Sequence, residues 1–330
     1  MISKKQYHHV IRLLVALIAI FILLLLWNTS ILRYHLPWHD YQWTFSRGIP
    51  VPACSGTSND SAVTSASNQE AGLIVHYVRL YPVPKPNKND HSLNVLDCLS
   101  VYSVLLNLKP QSIYLHTNVP SFWPFGNCES LLELTIDWSL VKVFCAPLQY
   151  TSGIKRIAHI AHEADIRKFR AVEEYGGLVL DFDVYVINGV LLRQLIEKHP
   201  CIVCHEVDRL NAGFFGCRTR QAEYPKLVLA SYHAKYNPYC WLCSSGYEPF
   251  EIWKKNQDTA SVIAGVCDHE SGVVETENWA TLPAFHSYWH RSSFTVQDVR
   301  QLRSTLGDVL RWLLKDAPSD LAGKAIPVEW

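Results

Sequence analysis

Four residues in the middle of the chain have the side-chain types and spacing for chemistry: Asp165, Lys168, Asp181 and Asp183. Asp181 and Asp183 follow the apolar run Leu178-Val179-Leu180. Strand side chains alternate with period two, so both carboxylates are expected on one face at a strand end, with Phe182 pointing away. Two such acids at a buried strand end repel each other and need neutralising. A hard divalent cation, Mn²⁺ or Mg²⁺, does this with oxygen ligands and keeps open positions for phosphate oxygens. There it can neutralise a diphosphate leaving group. The pair alone carries little information, because at average composition an Asp-x-Asp arises by chance about once in a chain this long.

The segment before it adds what the pair lacks. Residues 162–175 read as a charged helix, and Asp165 and Lys168, three apart, share one of its faces. Phe169 and Val172 continue that face inward. Arg167 is expected to pair with Glu163, and Arg170 with Glu174, on the outer side. Gly176-Gly177 ends the helix and permits the left-handed backbone needed to turn into the strand. Asp165 and Lys168 are thereby expected near the top of the Asp181/Asp183 strand. A carboxylate there can bind sugar hydroxyls, and a cation can bind a hydroxyl or a phosphate. The plainer reading of Asp165 is an acidic residue favoured by the helix dipole.

The surrounding pattern supplies a scaffold. Strands are expected at 72–78, 112–117, 141–145, 201–206 and 212–217. Helices are expected at 93–108, 191–199, 225–236, 250–264 and 296–315, with 131–138 either a short helix or irregular. The last helix shows a buried stripe of Val299, Leu302, Leu306, Val309, Leu310 and Leu313. Strands alternating with helices in the first half imply an α/β fold with a mainly parallel, Rossmann-like sheet flanked by helices, and such sheets bind ligands at the carboxyl ends of their strands.

With 330 residues, 48% of them hydrophobic, the chain can bury a sizeable core. Lys+Arg equals Asp+Glu at 30 each, which argues against a dedicated nucleic-acid binder. Residues 10–27, centred on the apolar run Leu13–Trp27, approach the length of a bilayer span, and Lys4, Lys5 and Arg12 lie before or at its start. This pattern predicts a cytoplasmic tail (1–9), a transmembrane signal anchor (10–27), a polar stem (28–71) carrying the sequon Asn59-Asp60-Ser61, and a lumenal body (72–330). A cleaved signal peptide is the competing reading. All 10 cysteines follow the apolar run, so a lumenal body is expected to contain disulfides. Cys201/Cys204 and Cys240/Cys243 have C-x-x-C spacing, which also admits zinc, although Cys201 and Cys204 would point to opposite faces of a strand.

The stretches Ala164-Asp165-Ile166-Arg167-Lys168-Phe169 and Tyr175-Gly176-Gly177-Leu178-Val179-Leu180-Asp181-Phe182-Asp183-Val184 together resemble the signature of glycosyltransferases with the DXD sugar-binding region. That group includes α-1,4-galactosyl- and N-acetylglucosaminyltransferases and fungal α-1,6-mannosyltransferases. The resemblance implies a GT-A fold, a nucleotide-sugar donor (a UDP-sugar favoured), Mn²⁺ dependence, retention of anomeric configuration, a glycan or glycolipid acceptor, and a single-pass type II protein of the Golgi membrane. It implies that Asp165 binds the donor sugar, that Asp181 binds ribose or sugar and the metal's water shell, and that Asp183 ligates the metal. The family usually has Arg where Lys168 stands, and a Trp where Val78 or Arg79 sits, so stacking on the base falls to Tyr77. Glu206 and Asn211-Ala212-Gly213-Phe214 resemble the family's next strand, with Asn211 reaching the donor sugar or acceptor. His286 is the expected late metal or diphosphate ligand. Two alternatives remain: a degenerate transferase acting as a glycan-binding or chaperone subunit, and a glycoside hydrolase using Asp181 and Asp183 as acid and base.

Overall fold

The computed structural model describes residues 72–81, 93–119, 123–132, 134–149, 151–153, 155–267, 279–287 and 294–314. The expected tail, anchor and stem, with the Asn59 sequon, lie outside the described residues. Among the described residues no helix is long and apolar enough to cross a membrane.

In chain order the elements are β1 (Ile74–Arg79), α1 (Val95–Ser103) with a π-helical turn Val104–Leu108, β2 (Ser112–Thr117), α2 (Cys128–Leu132) and β3 (Val141–Cys145). A small hairpin, β4 (Thr151–Ser152) and β5 (Lys155–Arg156), leads to α3 (Ile160–Tyr175), β6 (Gly177–Leu180) and β7 (Val184–Val186). Then come α4 (Gly189–Lys198), β8 (Cys201–Glu206), β9 (Arg209–Cys217), α5 (Glu223–Lys235), α6 (Glu248–Lys255), β10 (Ser261–Ile263), β11 (Ala284–His286), α7 (Val296–Gln301) and α8 (Thr305–Leu313).

The main sheet has the order β10-β8-β9-β6-β1-β2-β3. β1 runs parallel to β2 and β6, β2 parallel to β3, and β8 parallel to β10, whereas β9 is antiparallel to both neighbours. The mainly parallel α/β sheet expected from the sequence is therefore present. Its alternation sorts side chains into two cores. Tyr77, Leu178 and Leu180 pack in the cluster that includes Leu96 and Leu99 of α1. Val179 packs on the opposite side with Phe169 and Val172 of α3 and Val228 of α5.

Three expectations are corrected. The 250–264 segment is not one helix: α6 ends at Lys255 and the chain enters the edge strand β10. The 296–315 helix breaks after Gln301, and Ser304 caps α8 by accepting from Gly307 N. The buried stripe survives in both pieces through Val299, Leu306, Val309, Leu310 and Leu313. Zinc at the C-x-x-C pairs gives way to disulfides, Cys201–Cys217, Cys204–Cys267 and Cys240–Cys243, with Cys98–Cys128 joining α1 to α2.

The turn from α3 into β6 is built on backbone only glycine adopts readily. Gly176 and Gly177 have φ of 71° and 90°, and a Cβ on Gly177 would lie 2.3 Å from the Ile74 carbonyl oxygen. The Gly176 carbonyl accepts from Nε2 of the fully buried His76 at 2.8 Å. His76 Nδ1 then accepts from His116 Nε2 at 3.1 Å.

This hydrogen-bonded pair makes folding sensitive to acid. Burial lowers His76 from 6.5 to about 4, against the opposing pull of the Gly176 carbonyl, and burial with the neighbouring His76 also holds His116 down. The unfolded chain binds these protons first, so stability is full above pH ~6.5 and is lost as pH falls towards ~4, with His76 contributing on the order of 3 kcal/mol at the acid end. Thermal melts from pH 7.5 to 4.5 are expected to show a falling Tm. The slope is expected to flatten in His76→Gln, and equal slopes would exclude this origin.

Candidate active site

The two carboxylates do not lie on a strand. β6 stops at Leu180, and residues 181–183 form a turn, with the Val184 amide donating to the Asp181 carbonyl at 3.0 Å. The turn is fixed from outside itself. Asp181 N donates to the Gly213 carbonyl of β9 at 2.8 Å. From α1, Ser100 Oγ donates to the Val184 carbonyl at 2.6 Å, Ser103 Oγ accepts from Val186 N at 2.9 Å, and Asn107 Nδ2 donates to the Val186 carbonyl at 2.7 Å. These positions, spaced by three and four, form a polar stripe on one helix face that stitches β7 in place. Phe182 points away from the acids, as expected, and packs on Tyr77 with ring centroids 4.7 Å apart.

On the acid side, Lys168 is the hub. Its Nζ lies 3.1 Å from Asp165 Oδ1 and 2.7 Å from Asp181 Oδ1. Asp165 and Lys168 are thus one turn apart on α3 and meet the strand-end turn, as the helix spacing predicts. Burial works against the Lys168 charge, but Asp181 and Asp165 outweigh it and hold its pKa above the usual lysine value. Asp181 is pushed up, first by enclosure in protein and then by Asp183 and Asp165, while Lys168 pulls it down.

Asp183 faces a different partner. β11 pairs antiparallel with β7 in a register that sets His286 opposite Val184. His286 Nε2 then lies 3.3 Å from Asp183 Oδ1, and Ser287 N donates to the Asp183 carbonyl at 2.9 Å. Burial lowers the His286 pKa, but Asp183, Glu206 and Asp181 together raise it above its ordinary value. Asn211 closes the group. Its Nδ2 lies 3.5 Å from His286 Nδ1 and donates to Glu206, and its Oδ1 accepts from Gly213 N. Gly213 leaves room for both side chains: a Cβ there would lie 2.6 Å from Asp181 Oδ2 and 2.8 Å from Asn211 Oδ1, and both carboxamide and carboxylate would have to move aside.

The structure thus brings together Asp165, Lys168, Asp181, Asp183, Asn211 and His286. It does not bring in Tyr77, which is fully buried, hydrogen-bonded through its hydroxyl to Ser100 Oγ at 3.1 Å, and unable to stack on a base. Glu163 is buried rather than on the outer side, although it pairs with Arg167 at 3.1 Å, and Arg170 reaches Gln149. Glu206 belongs to the cluster more firmly than its sequence signal indicated, because the β8–β9 hairpin returns it beside Asn211. The stitching residues Ser100, Ser103 and Asn107 went unassigned, and their helical spacing was the available signal.

Asp181, Asp183 and His286 supply oxygen and imidazole donors, which suit Mn²⁺ or Mg²⁺ in kind. The raised His286 pKa shows that three carboxylates stabilise positive charge at this point, which a metal would satisfy in place of a proton. Among the described residues, however, no group of three or more His, Cys, Asp or Glu side chains is arranged ready to hold a metal ion.

No family model matches the chain. It is 35% identical over 113 residues to glucan organizing enzyme 1 of Cryptococcus neoformans var. grubii, a match covering 34% of this chain and 28% of that protein. The chain thus spans well under half the length of this curated relative. Among solved structures it resembles the galactosyltransferase LgtC in complex with donor and acceptor sugar analogs, with a TM-score of 0.43, 10% identity, and coverage of 76% of this chain and 100% of that chain. It also resembles the glycosyltransferase GlyE of Streptococcus pneumoniae TIGR4, with a TM-score of 0.39, 11% identity, and coverage of 76% and 62%. Both scores fall below 0.5, so the architecture stands on its own strand order and register.

Removing one member of a buried ion cluster leaves its partners uncompensated. Lys168→Met is expected to lower unfolding stability by about 3 kcal/mol in denaturant titrations. Asp165→Asn combined with Lys168→Met is expected to cost clearly less than the sum of the single changes. Additive single-mutant costs would show that the two side chains do not interact.

Proposed function

We propose that this chain is a metal-dependent glycosyltransferase of GT-A type. It moves a hexose or N-acetylhexosamine, with retention, from a nucleotide sugar (a UDP-sugar favoured) to a glycan or glycolipid acceptor. The observation that carries this reading is the Lys168 ammonium bridging Asp165 of a helix to Asp181 of a strand-end turn, with Asp183 of the same turn facing His286 of β11. That geometry agrees with the DXD-type sequence signature at the positions where the signature has its functional residues. The partial relative's name attaches it to glucan, which accords with a glycan acceptor.

The residues divide the work by position. Asp165 accepts hydrogen bonds from donor-sugar hydroxyls while Lys168 fixes its orientation. Asp181, with 35% of its side chain open to solvent, offers acceptors to ribose or sugar hydroxyls. Asp183 and His286, with Asp181, are the groups that would hold Mn²⁺ or Mg²⁺. Such an ion supplies neutralisation of the departing nucleoside diphosphate. Asn211 orients Glu206 and His286 and faces the sugar or acceptor from β9. Four disulfides among the described residues fit an oxidising compartment. With the apolar run Leu13–Trp27, they support a type II Golgi membrane protein with its body in the lumen.

A second reading is a transferase-like chain that binds glycans or assists another enzyme without turnover. It is favoured by Lys168 in place of the family's Arg, whose planar fork grips two acceptors at once. A glycoside hydrolase fits poorly, because Asp181 is engaged by Lys168 and the two acids occupy one tight turn instead of flanking a bond.

The deciding assay is hydrolysis and transfer of a panel of UDP- and GDP-sugars by the purified chain with Mn²⁺. Wild type is expected to turn over one donor, EDTA to abolish that activity, and Asp183→Ala to lose about 100-fold or more. Equal activity in wild type and Asp183→Ala would remove the metal assignment. No turnover by wild type would leave the non-enzymatic reading.

A further inference from the structure

Among the described residues the exposed large apolar side chains are Trp123, Val190, Val207, Tyr239, Trp241 and Tyr247. Three of these fall in one segment, Asn237–Tyr247, where Tyr239 is 96% exposed, Trp241 49% and Tyr247 39%. The segment contains no Asp, Glu, Lys or Arg. Exposed aromatic side chains gathered in one uncharged segment mark a contact site, and the charged groups beside this one, Arg209 and Lys235, are already paired with Glu206 and Glu248.

The segment is rigid. Cys240 and Cys243 are joined by a disulfide, Asn237 Oδ1 accepts from Tyr239 N at 3.1 Å, and Gly246 N donates to the Leu242 carbonyl at 2.9 Å. Ser244 and Ser245 are buried beneath it. Rigid aromatics bind with little loss of conformational entropy.

Both ends of the segment lead into the ion cluster. At one end the Trp241 ring lies 5.5 Å from His162, and the Trp241 carbonyl accepts from His162 Nε2 at 2.9 Å. His162 is one turn before Asp165 on α3, and burial lowers its pKa against the opposing pull of Asp165. At the other end the Arg209 guanidinium lies 6.0 Å from the centre of the Tyr247 ring and pairs with Glu206 at 2.6 Å. Glu206 in turn holds Asn211, which meets His286.

We propose that Asn237–Tyr247 is the acceptor subsite and takes a neutral oligosaccharide, with sugar rings lying against Trp241 and Tyr239 and the Tyr247 face at the inner end. This rests on the glycosyltransferase reading. An apolar ring face bordered by Asn and Ser polar groups matches a sugar, whose C–H faces are apolar and whose rim carries hydroxyls. The neighbouring cations Arg209 and Lys235 are paired with Glu206 and Glu248, which lessens their attraction for an acidic saccharide, and the segment itself supplies none. Continuity with His162–Asp165 and with Arg209–Glu206–Asn211 places such an acceptor next to the donor-binding residues.

The test measures affinity of the full chain for lactose, laminaritriose, mannotriose and sialyllactose by thermophoresis. It compares wild type with Trp241→Ala, Trp241→Phe and Tyr239→Ala. Tyr239→Ala changes a side chain with almost no packing, so its result does not depend on refolding of the loop. Wild type is expected to bind at least one neutral sugar and to bind sialyllactose no better than lactose. From the worth of aromatic contacts, Trp241→Ala is expected to weaken binding about tenfold and Tyr239→Ala about threefold, with Trp241→Phe retaining most of the affinity. With the matched donor, Trp241→Ala is expected to raise the acceptor KM well beyond any change in the donor KM. The proposal is overturned by no neutral-sugar binding, by unchanged affinity in both alanine variants, or by acceptor and donor KM rising together. It is also overturned if Trp241→Ala only converts a dimer to a monomer in sedimentation, which would assign the face to a second copy. Donor hydrolysis by wild type is read separately, and its absence overturns the transferase reading while glycan affinity still decides the role of the segment.

Discussion

One buried cation holds the helix side of the site against the strand-end turn. Lys168 contacts Asp165, one turn away on its own helix, and Asp181, beyond the Gly-Gly break. Charges enclosed in protein are costly unless paired, so this three-membered group is stable only in one arrangement of α3 against the end of β6. The glycines make that arrangement sterically possible, since β6 begins within touching distance of the Ile74 carbonyl. The ion group then makes it specific. A scaffold of parallel strands supplies the site's location, and the Lys168 bridge supplies its orientation.

Charge is also distributed unequally across the turn. Asp181 is neutralised from the helix side by Lys168, whereas Asp183 meets His286 from the second, two-stranded sheet. The two acids that look equivalent in sequence therefore have different partners. Asp181 keeps 35% of its side chain open to solvent while contacting Lys168. Asp183, Glu206 and Asp181 together raise the His286 pKa against the effect of burial, so positive charge is favoured there as well as at Lys168. This division follows from β7 leaving the main sheet to pair with β11, which brings in residues a hundred positions downstream.

Legibility in the sequence followed the range of the interactions. The helix–Gly-Gly–strand unit was readable because helical spacing, glycine conformation and an apolar run are all local signals. The nearness of Asp165 and Lys168 to the end of β6 follows from them, whereas the direct contact of Lys168 with Asp181 is seen only in the structure. Period-two alternation misled at residues 181–183, since it assumed the strand continued, whereas α1 and β9 fold that stretch into a turn. Tyr77 could not be assigned to a face from an apolar strand with both sides buried, and its hydroxyl is taken by Ser100. The 296–315 stripe kept its period across Gln301, so the break there was visible only through the Ser304 cap. His286 was placed by analogy of position, and its proximity to Asp183 depends on a long-range register that no local pattern encodes.

A nucleotide-sugar site completed by a divalent cation, as proposed for the Lys168-bridged turn with Asp183 and His286, binds UDP only when the metal is present. Calorimetric titration of UDP into the purified chain, with Mn²⁺ and again with EDTA, tests this most directly. The account predicts saturable one-site binding with Mn²⁺ and its loss with EDTA. Absence of UDP binding in the presence of Mn²⁺, or equal binding with and without the metal, would contradict it.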